Sequence, residues 1–236
     1  MRLPFPSPLV PAVFLERPNR FVVRARLVDG SEQMGHLPDP GCLKDLLAPG
    51  VKLWLASAPA AATRKTRYDV LLAETPAGLI SLDTRIPTQL VRRALEQQSI
   101  PEFAGYSAVR PETRFGRSRI DFLLSAASQP DLLLEVKSVT LVEDNVGLFP
   151  DAVTERGTRH MKALAEARRQ AFQAAVLFIV QRDDANAVAP RAVNDPAFAR
   201  SLRQAAAVGV RLVAYTCCLT LQDIALANPV PVRLEL

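Results

Sequence analysis

Apolar positions along the chain change period at defined places, and the changes mark out elements. Phe21 to Val28 alternates apolar and polar and ends at Asp29-Gly30, the pattern of a half-buried strand closed by a turn. The run His36-Leu37-Pro38-Asp39-Pro40-Gly41 interrupts it. Leu43 to Leu47 has room for one helical turn, and Val51 to Ala56 and Tyr68 to Ala73 resume as strands. Short strands with frequent turn signals predict a small barrel over residues 1–82. Ala58 to Arg67 reads as an exposed basic loop. Beyond residue 82 the rhythm lengthens. Leu90, Val91, Ala94 and Leu95 share one face of a helix over Thr88 to Gln98, with Arg92, Arg93, Glu96 and Gln97 outside. Val109 to Phe115, Arg119 to Leu124 and Leu132 to Ser138 are strands. Glu155 to Gln170 is a helix with Met161, Leu164 and Ala165 inward. The unbroken apolar run Ala174 to Val180 predicts a buried central strand. Asp195-Pro196 supplies the cap and first position of a helix that Gly209 closes, and Val210 to Tyr215 follows as a strand. Residues 83–236 therefore predict a mixed α/β layer domain.

Charge narrows the classes of function. The net charge is +5, a moderate excess that suits a polyanionic partner. Lysine occurs only at Lys44, Lys52, Lys65, Lys137 and Lys162, so the basic residues are mostly arginine, whose fork matches phosphate oxygens. Biased base composition of the gene explains the same excess equally well. No apolar run approaches the roughly 20 residues of a membrane span. The proline-rich N-terminus lacks a cleavage pattern, and Cys42, Cys217 and Cys218 form no framework, so a cytoplasmic protein is expected.

The segment Val109 to Ser138 is chemically specific. Gly116-Arg117 fits a two-residue hairpin turn, a register that sets Glu112 opposite Asp121. If the next hairpin is symmetric about Ser128, Asp121 also faces Glu135. Glu135 and Lys137 then share a face. Three carboxylates in a row repel one another unless a cation joins them. Oxygen donors favour Mg²⁺ or Mn²⁺ over zinc. Such an ion, with Lys137 to orient or deprotonate water, suits phosphodiester hydrolysis. The alternative is a row of solvated charges on an exposed sheet face. Arg117 and Arg119 flank the row at the hairpin tip. They stand to meet a phosphate backbone or simply to balance the acids.

The runs PETRFGRSRIDFLL, LLLEVKSVTL and LFPDAVTERGTRHMKAL, with RPNRFVVRARLVDG and HLPDPG upstream, resemble the sugar fermentation stimulation protein A family over most of the chain. The resemblance implies an N-terminal OB-like barrel, a C-terminal restriction-endonuclease-like domain of the PD-(D/E)xK type, non-specific DNA binding and a regulatory role in sugar metabolism. It assigns Asp121, Glu135 and Lys137 to the motif and Glu112 to the acid on the preceding strand. Arg156 and His160, four apart on a helix, match the family's motif as phosphate contacts. Arg20 and Arg24 are candidates to line a nucleic-acid groove on the barrel, with Phe21 or Trp54 to stack a base. Departures fall at Pro38-Asp39-Pro40-Gly41-Cys42, where the family favours Pro-Asn-Thr-Gly-Arg, and at Leu82-Asp83-Thr84 and Pro87-Thr88, where it favours asparagines. Three functions compete: a DNA-binding protein with a nuclease-like metal site, an active Mg²⁺-dependent deoxyribonuclease, and a protein-interaction module that uses the barrel.

Overall fold

Residues 2–6, 8–58 and 66–235 are described by a computed structural model of the chain; most of the predicted Ala58–Arg67 loop lies outside them. The first strand, β1 (Arg2–Pro4), stands apart from the barrel that follows. That barrel comprises β2 (Val10–Asn19), β3 (Val22–Leu27), β4 (Glu32–His36), β5 (Lys52–Ser57) and β6 (Tyr68–Thr75), with β7 (Gly78–Ser81) added to β6. Neighbours run β4-β3-β2-β5-β6, and a β4–β6 pairing closes the ring, so the N-terminal part is a closed OB-type barrel. Phe14, Val23, Leu53, Leu55 and Val70 fill its interior from alternate positions.

The second part is a seven-stranded mixed sheet, ordered β1-β16-β15-β13-β10-β9-β8. Its strands are β8 (Ala108–Phe115), β9 (Ser118–Ala126), β10 (Gln129–Val139), β13 (Gln173–Val180), β15 (Arg211–Leu219) and β16 (Asp223–Pro229). A side sheet of β11 (Val142–Glu143), β12 (Val146–Phe149) and β14 (Ala187–Pro190) packs beside it. Helix α1 (Ile86–Glu96) covers one face, where Leu90 and Val91 meet Phe122, Leu134 and Leu177. Helices α2 (Glu155–Arg169) and α3 (Pro196–Ala207) cover the other, where Met161, Leu164 and Phe198 meet Leu133 and Phe178. Each such leucine taken from water stabilises the layer by about 1.5–3 kcal/mol. Strand β13, buried from Ala174 to Val180, lies parallel between β10 and β15, as its continuous apolar run requires.

Asp195 caps α3 through the Phe198 N–H at 2.9 Å, and its other oxygen accepts the Thr154 N–H at 2.8 Å. Thr154 in turn caps α2 through Gly157. One buried carboxylate therefore fixes the starts of both helices. The barrel's outer side packs on the α1 face, where Ala56, Leu71 and Leu72 join the same cluster as Leu90.

The expected division at residue 82 needs a correction at its start. β1 pairs antiparallel with β16, Arg2 against Ala225 and Leu3 against Ile224, because Leu3 and Phe5 bury themselves in the cluster beneath α1. The barrel is thus flanked on both sides in sequence by strands of the second sheet.

Candidate metal and nucleic-acid site

The site grows out of register. β8 and β9 pair Pro111 with Phe122 and Thr113 with Ile120, so Glu112 stands opposite Asp121, as the Gly116-Arg117 turn predicts. Gly116 takes φ +54, the left-handed conformation that such a turn requires. β9 and β10 pair Leu133 with Leu123 and Leu134 with Phe122, which brings Glu135 level with Asp121 from the other side. Alternation sends Leu132, Leu134 and Val136 toward α1 and leaves Glu135 and Lys137 on the α2 face.

There Glu135 is 2 % exposed. Its Oε1 accepts the Lys137 ammonium at 2.6 Å and the His160 Nδ1–H from α2 at 2.5 Å. Its Oε2 is buried with no hydrogen-bond partner among the described residues. Asp121 Oδ2 accepts the Val136 N–H at 2.8 Å. Burial, then the neighbouring charge of Glu135, pushes Asp121 up to about 6, against the pull of the Val136 N–H, Lys137 and His160. Burial opposes ionisation of Glu135 too, but Lys137 and His160 outweigh it and hold that carboxyl below its ordinary range. The pair therefore has one acid fixed as a carboxylate and one short of a cation. A buried carboxylate oxygen without a donor is costly. It fits a hard divalent ion, which needs only one or two protein carboxylates and fills its remaining positions with water and phosphate oxygens.

Both acids, with Lys137, line a cavity of about 530 Å³ between the two parts of the chain. The barrel side supplies Arg20, Asp39, Pro40 and Gly41, the start of α1 supplies Thr84 and Thr88, and Pro150, Asp151 and Arg156 complete the rim. Arg20 and Arg156 are exposed there. Two expectations are corrected. Glu112 does not join the acids: at φ +52 its side chain leaves the row, stands 68 % exposed and pairs with Arg119 at 3.7 Å. Accordingly, among the described residues no three of His, Cys, Asp or Glu converge as a metal cluster. His160 is not a phosphate contact either: it is 2 % exposed and spends its ring on Glu135. Arg117 and Arg119 lie exposed at the hairpin tip, away from the lining of this cavity. Arg24 pairs with Glu16 and Glu32 on the barrel surface. Trp54, expected as a stacking platform, gives its indole N–H to Glu74 and lies beneath Lys52.

Asp151, in the run Phe149-Pro150-Asp151, carries no signal in the sequence that marks it as part of the site. Its Oδ2 accepts the Cys42 N–H at 2.7 Å and so ties the barrel to the rim. Asp39 is 6 % exposed, and burial, with help from Asp151 and Asp83, raises its carboxyl to about 6 despite the Gly41 N–H and Arg17.

A closed OB barrel joined to a mixed α/β domain, with an acid–acid–lysine cluster facing the seam, is the class this architecture defines. Residues 15–82 match the family model for the SfsA N-terminal OB domain, and residues 85–223 that for the sugar fermentation stimulation protein RE domain. The chain belongs to the sugar fermentation stimulation protein family. It is 45 % identical over 230 residues to the homologue of Moorella thermoacetica, covering 97 % of this chain and 98 % of the relative. It is 46 % identical over 234 residues to that of Chloroflexus aurantiacus, covering 98 % and 89 %. The solved structure of Pyrococcus furiosus SfsA in complex with Ca²⁺ superposes with a TM-score of 0.88 at 29 % identity, covering 99 % of this chain and 98 % of the other.

Proposed function

We propose that the chain binds DNA without sequence preference and that Asp121, Glu135 and Lys137 form a PD-(D/E)xK-type site for Mg²⁺ or Mn²⁺ able to hydrolyse phosphodiester bonds. The observation that carries this is the unpartnered Glu135 Oε2, buried beside Asp121 at the floor of an arginine-rimmed cavity. The Ca²⁺ complex of the Pyrococcus furiosus relative supports a divalent ion of the hard class. Asp121 and Glu135 would hold it. When bound, the ion supplies charge neutralisation on a phosphate and a more acidic water.

The protein's own residues do the rest. His160 and Lys137 both bond Glu135 Oε1, which fixes the carboxylate plane and leaves Oε2 free to ligate. The Val136 N–H fixes Asp121 in the same way. Lys137 holds a positive charge where negative charge develops in the transition state. Arg20 from the barrel and Arg156 from α2 offer forks to phosphates on either part of the rim; contacts of this kind position a backbone and read no bases. A regulatory role in sugar metabolism enters through the family's name and would act through this binding.

The test is to incubate the purified chain with plasmid and single-stranded DNA in Mn²⁺, in Mg²⁺ and in EDTA, beside Asp121→Ala. Cleavage that needs the metal and vanishes in the variant is the expected result. Binding without cleavage in every metal would remove hydrolysis, and no binding even at low salt would remove the DNA reading altogether.

A further inference from the structure

Resting on that reading, we propose that the cavity takes an unpaired strand (an end, an overhang or a loop) and not the flank of a duplex. The acids lie deep. Glu135 is 2 % exposed and Lys137 9 % exposed, both on the α2 face of a central strand. The cavity that leads to them is lined by Arg20, Asp39, Pro40 and Gly41 on the barrel side and by Pro150, Asp151 and Arg156 on the other.

That cavity has built walls. The barrel loop at Pro40–Cys42 meets the loop after β12 with little slack: a Cβ on Gly41 would lie 2.3 Å from Asp151 Oδ2 and 2.9 Å from Asp39 Oδ1. Behind the loop, the Arg17 guanidinium donates to the carbonyls of Cys42 at 2.7 Å, Arg20 at 2.8 Å and Asp39 at 3.1 Å. Below it, the Ser81 N–H donates to the Gln181 carbonyl at 3.0 Å, and the Thr84 hydroxyl to the Pro38 carbonyl at 2.9 Å. These bonds make the barrel side a fixed wall.

Size and chemistry then select the ligand. A cavity of about 530 Å³ is of the size that holds one small organic molecule, which is the scale of a nucleotide. A duplex carries its two backbones across grooves roughly 12 Å and 6 Å wide, and neither backbone can leave its partner to enter a space of that size. A lone strand can. Its phosphates meet Arg20 and Arg156, and its freed base finds the exposed apolar side chains of Ala152 and Val153 in the same lining. Unstacked bases that lie on apolar or aromatic side chains are the usual basis of single-strand binding.

The experiment uses the full chain in Ca²⁺ and one fluorescently labelled oligonucleotide in three forms: single strand, blunt duplex and duplex with a single-stranded overhang. Anisotropy titrations should give single-strand and overhang affinities at least about tenfold tighter than the blunt duplex. Asp151→Ala, which removes the acceptor holding Cys42, should narrow that ratio while the melting temperature reports that the chain stays folded. Blunt duplex bound as tightly as single strand, or a ratio that ignores Asp151→Ala, overturns the proposal and leaves the DNA-binding reading standing. Failure of all three probes to bind at low salt would remove both.

Discussion

Asp121 has an acid in register on each side, and the two neighbours are treated oppositely. Glu135 belongs to β10, which has a strand on either flank and helices over both faces. Its side chain is buried, and the Lys137 ammonium and the His160 ring both meet its Oε1. Glu112 belongs to β8, the last strand of the sheet, with no strand beyond it among the described residues. There the backbone turns left-handed and the side chain goes to water. Pairing register places a residue at a level of the sheet. What happens to its side chain depends on whether the strand is enclosed. Central strands can compel buried charge, and edge strands let it escape.

The contrast breaks most sharply on metal affinity. Glu135→Ala and Asp121→Ala are each expected to weaken Mn²⁺ binding by on the order of 100-fold in calorimetry, whereas Glu112→Ala leaves it within about twofold. An equal loss from Glu112→Ala would mean that the edge acid swings back into the row. Next in size is His160→Ala. It removes one of two cationic or polar partners from a buried carboxylate and should cost about 2 kcal/mol of stability in denaturant unfolding. A neutral result would show that Lys137 alone satisfies Glu135.

A third buried acid sharpens the comparison, because the cation beside Asp39, Arg17, donates to its backbone carbonyl and its charge does not outweigh burial of the carboxyl. Folded, it keeps its proton up to about pH 6, and unfolded only to about 3.8. The stability this group contributes is therefore present below the lower value and lost as pH rises through the upper one. Asp39→Asn should stabilise the chain by about 2 kcal/mol at pH 8 and by almost nothing at pH 4, read as melting temperature against pH. The same gain at both pH values would place its cause outside ionisation. The smallest effect is expected at Glu112→Gly, which relieves a left-handed backbone for about 1 kcal/mol or less of added stability. Destabilisation there would show that the exposed pair with Arg119 matters more than the backbone.

These residues also show how far the sequence was legible. The register of the first hairpin followed from Gly116-Arg117, since local turn chemistry decides it. The second pairs Ala126 with Gln129 at its turn and brings Glu135 level with Asp121 only through a register shift between Gln129 and Leu132, which the loop around Ser128 does not announce. The helix starts at Asp195 and the apolar run of β13 were equally plain. Glu112 was not, because a left-handed glutamate after Pro111 leaves no mark in composition or period. β2 was missed for the opposite reason. Pro11 and Pro18 argue against a strand, yet it sits between β3 and β5, with register shifts between Phe14 and Glu16 and between Glu16 and Asn19. His160 reads as a phosphate contact and not as a buried partner of Glu135, because that partner lies 25 positions away on β10. Contacts between layers of that kind leave no trace in the spacing.

The pairing of Arg2–Pro4 with Asp223–Pro229 has a consequence for anyone who handles this molecule in pieces. The barrel is a cassette spliced into the other domain, so one cut after residue 82 cannot separate two intact units. A fragment starting at residue 83 would leave β16 with a raw hydrogen-bonding edge and the hollow left by Leu3 and Phe5, and such an edge invites another copy to fill it. Aggregation of that fragment, rescued by fusing residues 2–6 back through a flexible linker, would be the signature of the splice.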